Sequence, residues 1–438
     1  MKRILILGAG KSATALIDYL VDQAQHHDWQ VVVADRNKKL AEDKVEGRAN
    51  ASALELDILD ANGRANEIED ADFVISLLPP LLHIHAARDC VRLKTNLATA
   101  SYVSKEINEL NESAKDAGVL LMNEMGADPG IDHMSAMQLI DQIREDDGVV
   151  TSFQSYCGGL IAPESDTNPW HYKIAWNPWN IVRAGSGGAD FIMNDKTFHR
   201  TYEQLYKKCS VVEVEGYGEY AAYANRDSLK YKESYALENA HTILRATLRH
   251  PDFVKGWAAV VALGLTSDTK KMDVSGLTVK EWFTEASSST AGYTLSEKLK
   301  TIQAEPIAYE LLQFLDFSTD EKLTVHGEQV HGKVLQSILE KKWELKPEDK
   351  DILVFQHDIE YEQDGDSKQI ISSLVVKGEN QTDTAMAKCV GLPMAIFAKL
   401  WLTGKISDLS GVQIPTMKKV YQPVLEELAT AGIEFVEN

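Results

Sequence analysis

The sequence predicts an α/β fold in which an N-terminal parallel sheet is followed by a mixed α/β part with a helical insertion. Three observations predict it. A glycine-rich turn near the start joins an apolar strand to an amphipathic helix, and short apolar runs then alternate with helical patterns as far as Met122. From Val149 onward, apolar and polar residues alternate as in half-buried strands. With 438 residues the chain is too long for one small core, so we expect two or three packed units.

Composition and charge disfavour several classes of protein. The formal net charge of −21 argues against nucleic acid and anionic membrane surfaces as partners. The four cysteines are scattered without a C-x-x-C pair or metal-ligand spacing, so we expect neither disulfides nor a metal site. We expect no membrane span, because no apolar run approaches roughly 20 residues. The first apolar run is too short for a signal peptide, and a cytoplasmic protein is predicted.

Residues 3–35 form a βαβ pattern typical of a Rossmann dinucleotide-binding domain. Strand Ile4–Leu7 leads into a turn that matches G-x-G-x-x-G/A, a helix from Ala13 to Gln23 follows, and Val31–Ala34 is the second strand. The glycines permit a close approach of the backbone to a pyrophosphate at the helix N-terminus. The alternative is a glycine-rich turn in an unrelated α/β domain. The cofactor-binding residues predicted in this turn are Gly8, Gly10, Lys11, Ser12 and Ala13.

Asp35 ends the second strand 22 positions after Ala13 (35 − 13), where an acid binds the ribose hydroxyls. A carboxylate there repels the 2′-phosphate of NADP and favours NAD, whereas the adjacent Arg36 can accommodate that phosphate. The sequence therefore predicts NAD or NADP as the cofactor, with a slight preference for NAD.

Three more strands, Ala53–Ile58, Ala71–Leu78 and Thr95–Ala100, continue the predicted parallel sheet. Their ends lie at the sheet edge where open α/β sheets bind ligands. The third strand ends in Ser101-Tyr102, which we expect at that same edge. The ends of the first two are expected to line the cofactor through Asp57, Ile58, Ser76, Leu77, Leu78 and Pro79.

The loop Asn123–His133 stands between a buried strand and a helix and contains Glu124, Asp128 and Asp132. Asp128 precedes a proline and a glycine, which favour an extended residue followed by a sharp turn. A carboxylate beside a nicotinamide could exchange protons with a substrate amine or activate water. The alternative is that Asp128 only caps the helix that follows, and His133 is interpreted as a packed or capping residue.

The second half of the chain combines strands, a long helical stretch and a hairpin. Cys157 follows the strand Val149–Tyr156 and precedes two glycines that could approach a ligand, although a free cysteine is more often a small buried hydrophobe. Helices are expected from about Tyr235 to Leu339, and Thr242–Arg249 is assigned to them. The strands of the hairpin, Asp351–Tyr361 and Lys368–Lys377, and the helix Asp383–Leu402 follow.

Clustered arginines are informative in so acidic a protein. Arg226 lies in the turn Asn-Arg-Asp-Ser, and Arg245 and Arg249 are four residues apart, on one face of the expected helix, with Thr247 between them. Bidentate recognition of a carboxylate is the natural use of such arginines. A salt bridge between domains or subunits is the alternative. The cluster predicts a ligand with more than one carboxylate.

Several long motifs resemble saccharopine dehydrogenase of the glutamate-forming type, also called saccharopine reductase. The motifs are Thr99–Ser104, Met122–His133, Ser155–Gly159, Pro163-Glu164, Asn225–Ser228, Thr247–Arg249 and Ala385–Lys388. The resemblance extends along nearly the whole chain. It is weaker at residues 176–188 and 284–294, and fungal members generally lack an acid at the position of Asp35.

The resemblance implies a three-part organisation and a homodimer. A Rossmann domain is expected in residues 1–125, completed by 391–438. A mixed α/β substrate domain is expected in 126–234 and 341–390, with a mainly helical domain in 235–340. The implied reaction interconverts saccharopine, a tricarboxylate, with glutamate and aminoadipate semialdehyde through an imine, in lysine metabolism, and needs no metal.

The resemblance also assigns residues. Ser101, Tyr102, Asp128, Arg226, Thr247 and Arg249 are expected to contact the substrate. Asp128, Cys157 and Tyr102 are expected to line the reaction centre. Two rival functions stay open: another imine-reducing enzyme, such as a carboxynorspermidine dehydrogenase, and a dinucleotide-binding regulator without turnover. A polyamine substrate would need acids rather than arginines around it.

Overall fold

A computed structural model describes residues 1–437, which form two compact units, Met1–Asp147 with Thr382–Val436, and Gly148–Gln381 with Glu437. The first unit begins with strands β1 (Lys2–Leu7), β2 (Trp29–Asp35), β3 (Ala51–Glu55), β4 (Phe73–Ser76), β5 (Asn96–Thr99) and β6 (Leu120–Met122). Its helices are α1 (Thr14–His27), α2 (Lys38–Val45), α3 (Ala61–Glu69), α4 (His83–Leu93), α5 (Lys105–Asn108), α6 (Asn111–Ala117) and α7 (Ile131–Glu145).

The second unit contains strands β7 (Val149–Ile161), β8 (Ala189–Met193), β9 (Lys196–Arg200), β10 (Ser210–Val214), β11 (Gly218–Ala224), β12 (Arg226–Asp227), β13 (Thr242–Arg249), β14 (Lys271–Asp273), β15 (Glu328–Val330), β16 (Asp351–Gln363) and β17 (Asp366–Lys377). Its helices are α8 (Pro178–Val182), α9 (Tyr202–Leu205), α10 (Lys230–Ser234), α11 (Pro251–Ala262), α12 (Val279–Ala286), α13 (Leu295–Thr301), α14 (Ile307–Leu315) and α15 (His331–Lys342). The chain then returns to the first unit with α16 (Ala385–Leu402), β18 (Gly411–Gln413) and α17 (Lys418–Thr430).

The first unit has the parallel sheet that the sequence predicts. Its strand order is β18-β6-β5-β4-β1-β2-β3, and every neighbouring pair is parallel. Ile4, Leu5 and Ile6 of β1 are fully buried, because helices cover both faces of the sheet. The strand order reverses between β1 and β4, and such a switch point is where doubly wound sheets bind ligands.

Helix α16 corrects one expectation from the sequence. Its 18 residues are long and apolar enough to cross a membrane by length and composition, so a run of this kind does exist in the chain. Two-thirds of the helix is buried, and its apolar residues pack within the first unit. The ring centroid of Phe397 lies 6.3 Å from that of Phe73 in β4. Gly391 allows α16 to approach α1 closely, since an added Cβ would lie 2.9 Å from the Leu16 nitrogen. Packing against the sheet therefore accounts for the apolarity of α16.

The second unit is built on a mixed sheet with the order β10-β11-β13-β7-β16-β17. β7 pairs in parallel with β13 and antiparallel with β16, and β16 and β17 form the predicted hairpin. Residues Thr242–Arg249 form strand β13, so their assignment to a helix was wrong. The segment is rich in β-branched residues and hydrogen-bonds to strands on both sides, and this pairing decides its conformation.

The expected helical part is present as α11 to α15. These helices enclose a core of buried aromatic side chains that includes Trp170, Trp257, Trp282 and Trp343. The observed units differ from the expected domains. The loop after β6 and helix α7 lie in the first unit, where the Tyr421 hydroxyl of α17 donates a 2.7 Å hydrogen bond to Asp141 of α7. The helices of residues 235–340 form one compact unit with the mixed sheet.

Candidate functional site

The predicted glycine turn leaves a cradle between β1 and α1. Gly8 has a φ of +110°, and an added Cβ would lie 3.1 Å from the Leu77 carbonyl oxygen, so this position requires glycine. A Cβ on Gly10 would meet open space. The N-cap residues of the turn Lys11–Ala13 and of α1 are Gly10 and Ala13, whose side chains provide no cap. The turn therefore fits the pyrophosphate of a dinucleotide, whose charge the helix N-terminus favours.

A cleft of about 370 Å³ lies beside this turn. The Asp35 carboxylate accepts hydrogen bonds from the backbone nitrogens of Ala9 at 2.9 Å and Asn37 at 2.8 Å, which fix its position at the cleft wall. Predicted cofactor residues that line the cleft are Asp35, Arg36, Asp57, Ile58, Leu78 and Pro79. Leu7, Ala34, Leu56, Leu59 and Leu82 supply an apolar surface for a flat ring such as adenine. The remaining predicted residues, Ser76 and Leu77, lie where β4 ends.

The loop after β6 is fixed to the end of β5. The Met125 nitrogen donates to the Thr99 oxygen, and the Glu124 nitrogen donates to the Ser101 oxygen, both at 3.0 Å. Gly130 has a φ of +149°, and an added Cβ would lie 2.0 Å from the Gly126 oxygen. Only glycine fits there, so the turn before α7 has one tightly defined path.

That path brings two predicted residues together. The Tyr102 hydroxyl donates a 2.9 Å hydrogen bond to Oδ1 of Asp128. The N-cap of α7 is Gly130, whose nitrogen donates a hydrogen bond to the Asp132 side chain. The proton-exchanging role of Asp128 and the alternative of a helix cap both stay predictions. A phenol beside a carboxylate is an arrangement that can hold and move a proton.

The other charged residues of the loop are structural. Glu124 accepts from the Val103 nitrogen at 3.0 Å and lies 2.7 Å from Nε2 of buried His133. Asp132 accepts from the Gly130 nitrogen at 2.6 Å and the His133 nitrogen at 2.9 Å. His133 is a packed residue, as interpreted from the sequence, and these contacts hold the loop that carries Asp128.

His83 is a residue that the sequence reasoning missed. It is 3% exposed at the start of α4, and its ring lies between two hydroxyls. Nδ1 is 2.7 Å from the Ser76 Oγ, and Nε2 is 2.7 Å from the Oγ of Ser101, a predicted substrate residue. Burial lowers the pKa of His83 to about 4. The spacing of His83 in the sequence gave no signal, because the sheet brings these groups together.

In the second unit, the predicted residues of β7 and β13 share a row across the sheet. Thr247 pairs with Cys157 of β7 and with Tyr223 of β11, and Phe355 of β16 pairs with Cys157. Cys157 is in no disulfide bond and is 8% exposed. Its neighbour Gly158 permits close strand packing, since an added Cβ would lie 2.7 Å from Leu248 Cβ.

Arg249 is a buried cation that has no acidic partner. It is 4% exposed, and no carboxylate of the described residues lies within ion-pair distance. Nη1 donates to the Leu248 oxygen at 2.8 Å, whereas Nε is buried without a hydrogen-bond partner. The guanidinium lies over the rings of Tyr172 at 5.1 Å and Phe253 at 5.7 Å.

The surroundings keep Arg249 protonated. Burial alone lowers the pKa of Arg249. The nearby phenols of Tyr223, Tyr172 and Tyr206 raise this pKa by more than burial lowers it, so the net change is upward. A buried guanidinium with an unsatisfied Nε is ready to bind a planar anion such as a carboxylate. Arg249 forms no salt bridge with the described residues, and the alternative of a salt bridge to another subunit stays a prediction.

The two other predicted arginines have different surroundings. Arg245 is buried, its guanidinium lies 4.6 Å above the Tyr231 ring, and it donates to the Tyr231 hydroxyl. Arg245, Thr247 and Arg249 still share one face, because alternate residues of a strand point to the same side. Arg226 is exposed in the short strand β12, with a φ of +52°.

One group of side chains could be taken for a metal site. His171, His250 and Asp252 each place a potential ligand atom within 4.8 Å of the others. Lys255 pairs with Asp252 at 3.1 Å, and the N-terminus of α11 begins beside His250, so both disfavour a cation. The expectation that the reaction needs no metal stays a prediction.

Two family models together match nearly the whole sequence. The family model for the saccharopine dehydrogenase NADP binding domain matches residues 4–122, and that for the saccharopine dehydrogenase C-terminal domain matches residues 126–433. The chain belongs to the saccharopine dehydrogenase family. The resemblance found in the sequence motifs is thereby confirmed.

Members of the saccharopine dehydrogenase family match over the whole chain. Alpha-aminoadipic semialdehyde synthase of Arabidopsis thaliana is 33% identical over 99% of this chain, which spans 44% of that protein. Saccharopine dehydrogenase [NADP(+), L-glutamate-forming] of Pyricularia oryzae is 32% identical over 100% of this chain and 99% of that protein. The structure of apo saccharopine dehydrogenase (L-Glu forming) from Saccharomyces cerevisiae has a TM-score of 0.84 at 29% identity and covers 100% of this chain and 99% of that chain.

These relatives bear on the remaining predictions. The α/β fold with a Rossmann-like unit and a mixed-sheet unit is confirmed. The family model and the fungal relatives are named for NADP, so they support a dinucleotide cofactor but not the slight preference for NAD. The roles of individual side chains stay predictions.

Proposed function

We propose that this member of the saccharopine dehydrogenase family is an NAD(P)-dependent oxidoreductase of lysine metabolism. It interconverts saccharopine and water with L-glutamate and 2-aminoadipate 6-semialdehyde. The observation that carries the proposal is Arg249, a buried guanidinium with no acidic partner and an unsatisfied Nε. Such a group suits a carboxylate of a tricarboxylate substrate. An amine-rich polyamine offers fewer carboxylates to bind it.

In the first unit, the proposed substrate residues are Ser101, Tyr102 and Asp128. The 2.9 Å hydrogen bond from Tyr102 to Asp128 allows the pair to take a proton from the substrate amine and to return it during hydrolysis. When bound, the dinucleotide accepts a hydride from the carbon that bears the secondary amine, which leaves an imine for water to hydrolyse. Gly130 and the tight turn around it hold Asp128 in position throughout.

In the second unit, the proposed substrate residues are Arg226, Thr247 and Arg249, and Cys157 is proposed to line the reaction centre beside Thr247. The aromatic rings of Tyr172 and Phe253 exclude water from the Arg249 guanidinium. A low local dielectric strengthens its attraction for a carboxylate. Arg249 therefore binds and orients the substrate and takes no part in proton transfer.

We propose that Asp35 and Arg36 decide the choice between NAD and NADP. The position of the Asp35 carboxylate, fixed by two backbone amides, supports a slight preference for NAD, although the names of the fungal relatives specify NADP. Replacing Asp35 by serine should raise the ratio of kcat/KM for NADP to kcat/KM for NAD by about tenfold or more, because a like charge beside the 2′-phosphate is removed. If the wild type already has a higher kcat/KM for NADP than for NAD, and Asp35→Ser leaves that ratio unchanged, Asp35 does not decide the choice of cofactor.

The resemblance also leads us to propose a cytoplasmic homodimer. The net charge of −21 supports the expectation that neither nucleic acid nor an anionic membrane is a partner. Sedimentation equilibrium of the purified protein tests the dimer, and a monomer at all concentrations would refute it.

The function is tested by the reduction of each cofactor, followed by absorbance at alkaline pH. Saccharopine should reduce NAD or NADP and release glutamate, and a carboxylated polyamine should not. Turnover of the polyamine alone would favour the rival imine reductase. Tight dinucleotide binding without turnover of either compound would favour a regulator.

A further inference from the structure

His83 connects the ends of two adjacent strands of the parallel sheet. Ser76 is the last residue of β4, and Ser101 follows the end of β5. Both serine hydroxyls lie 2.7 Å from ring nitrogens of His83, Ser76 at Nδ1 and Ser101 at Nε2. The Thr99 hydroxyl lies 3.4 Å from each nitrogen, so the ring is held on a third side.

The charge state of the ring requires these two hydrogen bonds to run in opposite directions. Burial lowers the pKa of His83 to about 4, so the ring is neutral above about pH 5. A neutral imidazole donates from one nitrogen and accepts at the other. The Ser76 and Ser101 hydroxyls are therefore bound with opposite polarity, and the orientation of one determines that of the other.

The two serines differ in their surroundings. Ser76 is fully buried, and its hydroxyl forms no hydrogen bond to any other described residue. Ser101 is partly exposed and precedes Tyr102, whose hydroxyl bonds Asp128. The His83 ring is thus anchored on its inner side by Ser76. On its outer side it holds the Ser101 hydroxyl in place, next to the residues proposed for proton transfer.

We propose that His83 is a positioning residue that orients the Ser101 hydroxyl toward the substrate. This inference rests on the proposed function, in which Ser101 contacts saccharopine. The hydrogen bond to the neutral ring fixes the Ser101 rotamer, so the serine binds a polar substrate group without first losing rotational freedom. His83 itself contacts neither substrate nor cofactor.

Two substitutions separate the two hydrogen bonds. In His83→Asn the shorter amide can replace Nδ1 and keep Ser76, but it cannot reach Ser101. In His83→Gln the longer amide can reach the position of Nε2. We expect His83→Asn to raise KM for saccharopine about fivefold, the effect of one lost hydrogen bond. The KM for the dinucleotide should stay within twofold, and His83→Gln should lie closer to the wild type.

A double-mutant cycle with Ser101→Ala tests whether His83 acts through the serine. If it does, His83→Asn added to Ser101→Ala should raise KM no further. His85→Asn, two residues along α4, is the matched control and should behave as the wild type. Circular dichroism melts of each variant establish that it is folded.

The outcomes are distinguishable. No turnover of saccharopine by the wild type would remove the proposed function itself. With an active wild type, fully additive effects of His83→Asn and Ser101→Ala would overturn the positioning role. So would an equal increase in KM for saccharopine and for the dinucleotide, which a general disturbance of the sheet end would cause.

Discussion

Replacing Arg249 by methionine should lower activity without lowering stability. Methionine has a similar length and no charge, and it can still pack against Tyr172 and Phe253. Truncation of a buried group that binds a charged partner costs about 2–5 kcal/mol. Since about 1.4 kcal/mol corresponds to a factor of ten, kcat/KM for saccharopine should fall between about 30-fold and several thousandfold.

The expected effect on stability follows from the missing acidic partner. Breaking a buried ion pair destabilises by about 3–5 kcal/mol, because one charge is left behind. Arg249 forms no such pair with the described residues, so Arg249→Met leaves no orphaned carboxylate. Two stacking contacts and the hydrogen bonds to the Leu248 and Gly159 oxygens are lost, while the cost of burying the cation disappears. We expect the unfolding free energy to change by less than about 1 kcal/mol.

The measurements are steady-state kinetics with saccharopine and the dinucleotide, and urea denaturation of the ligand-free protein followed by circular dichroism. Arg200→Met is the matched control, because Arg200 also lies over aromatic rings, at 5.3 Å from Phe198, in the same unit. The control should retain activity. A destabilisation of Arg249→Met by several kcal/mol, with activity reduced no more than in the control, would show that Arg249 is structural.

Three further predictions concern the first unit. Asp128→Asn should lower kcat by about 10²- to 10⁴-fold with little change in the Kd of the dinucleotide, measured by fluorescence titration; unchanged kcat would exclude proton transfer by Asp128. Gly130→Ala should destabilise the protein by several kcal/mol in urea denaturation, because its Cβ would lie 2.0 Å from the Gly126 oxygen, whereas Gly118→Ala, which meets open space, should cost much less. Burial lowers the pKa of His83 from 6.5 to about 4. As the pH falls, His83 therefore takes up a proton in the unfolded chain before it does so in the folded chain. Stability should therefore fall as pH drops from 6.5 toward 4, by about 2 kcal/mol between pH 7 and pH 5, and His83→Gln should lack that part of the pH dependence.

The sequence by itself determined the features whose physical cause is local. The glycines at 8 and 10, the strands on either side of α1 and the acid at 35 follow from backbone freedom and from side-chain periodicity, and the structure has all of them. The placement of Tyr102 and of the Asp128 loop at one edge of the sheet also needed only local reasoning. Both residues follow parallel strands, and the carboxyl ends of such strands lie at one edge.

Only the tertiary structure decided the rest. Thr242–Arg249 has arginines four residues apart, a spacing that places side chains on one face in a helix and also in a strand, so periodicity could not choose between them. Hydrogen bonding to β7 and β11, segments distant in sequence, makes it a strand. His83 reaches Ser76 and Ser101, and Arg249 lacks an acid, for the same reason. Such contacts depend on which strands become neighbours, and that follows from the burial of the whole sheet rather than from any local pattern.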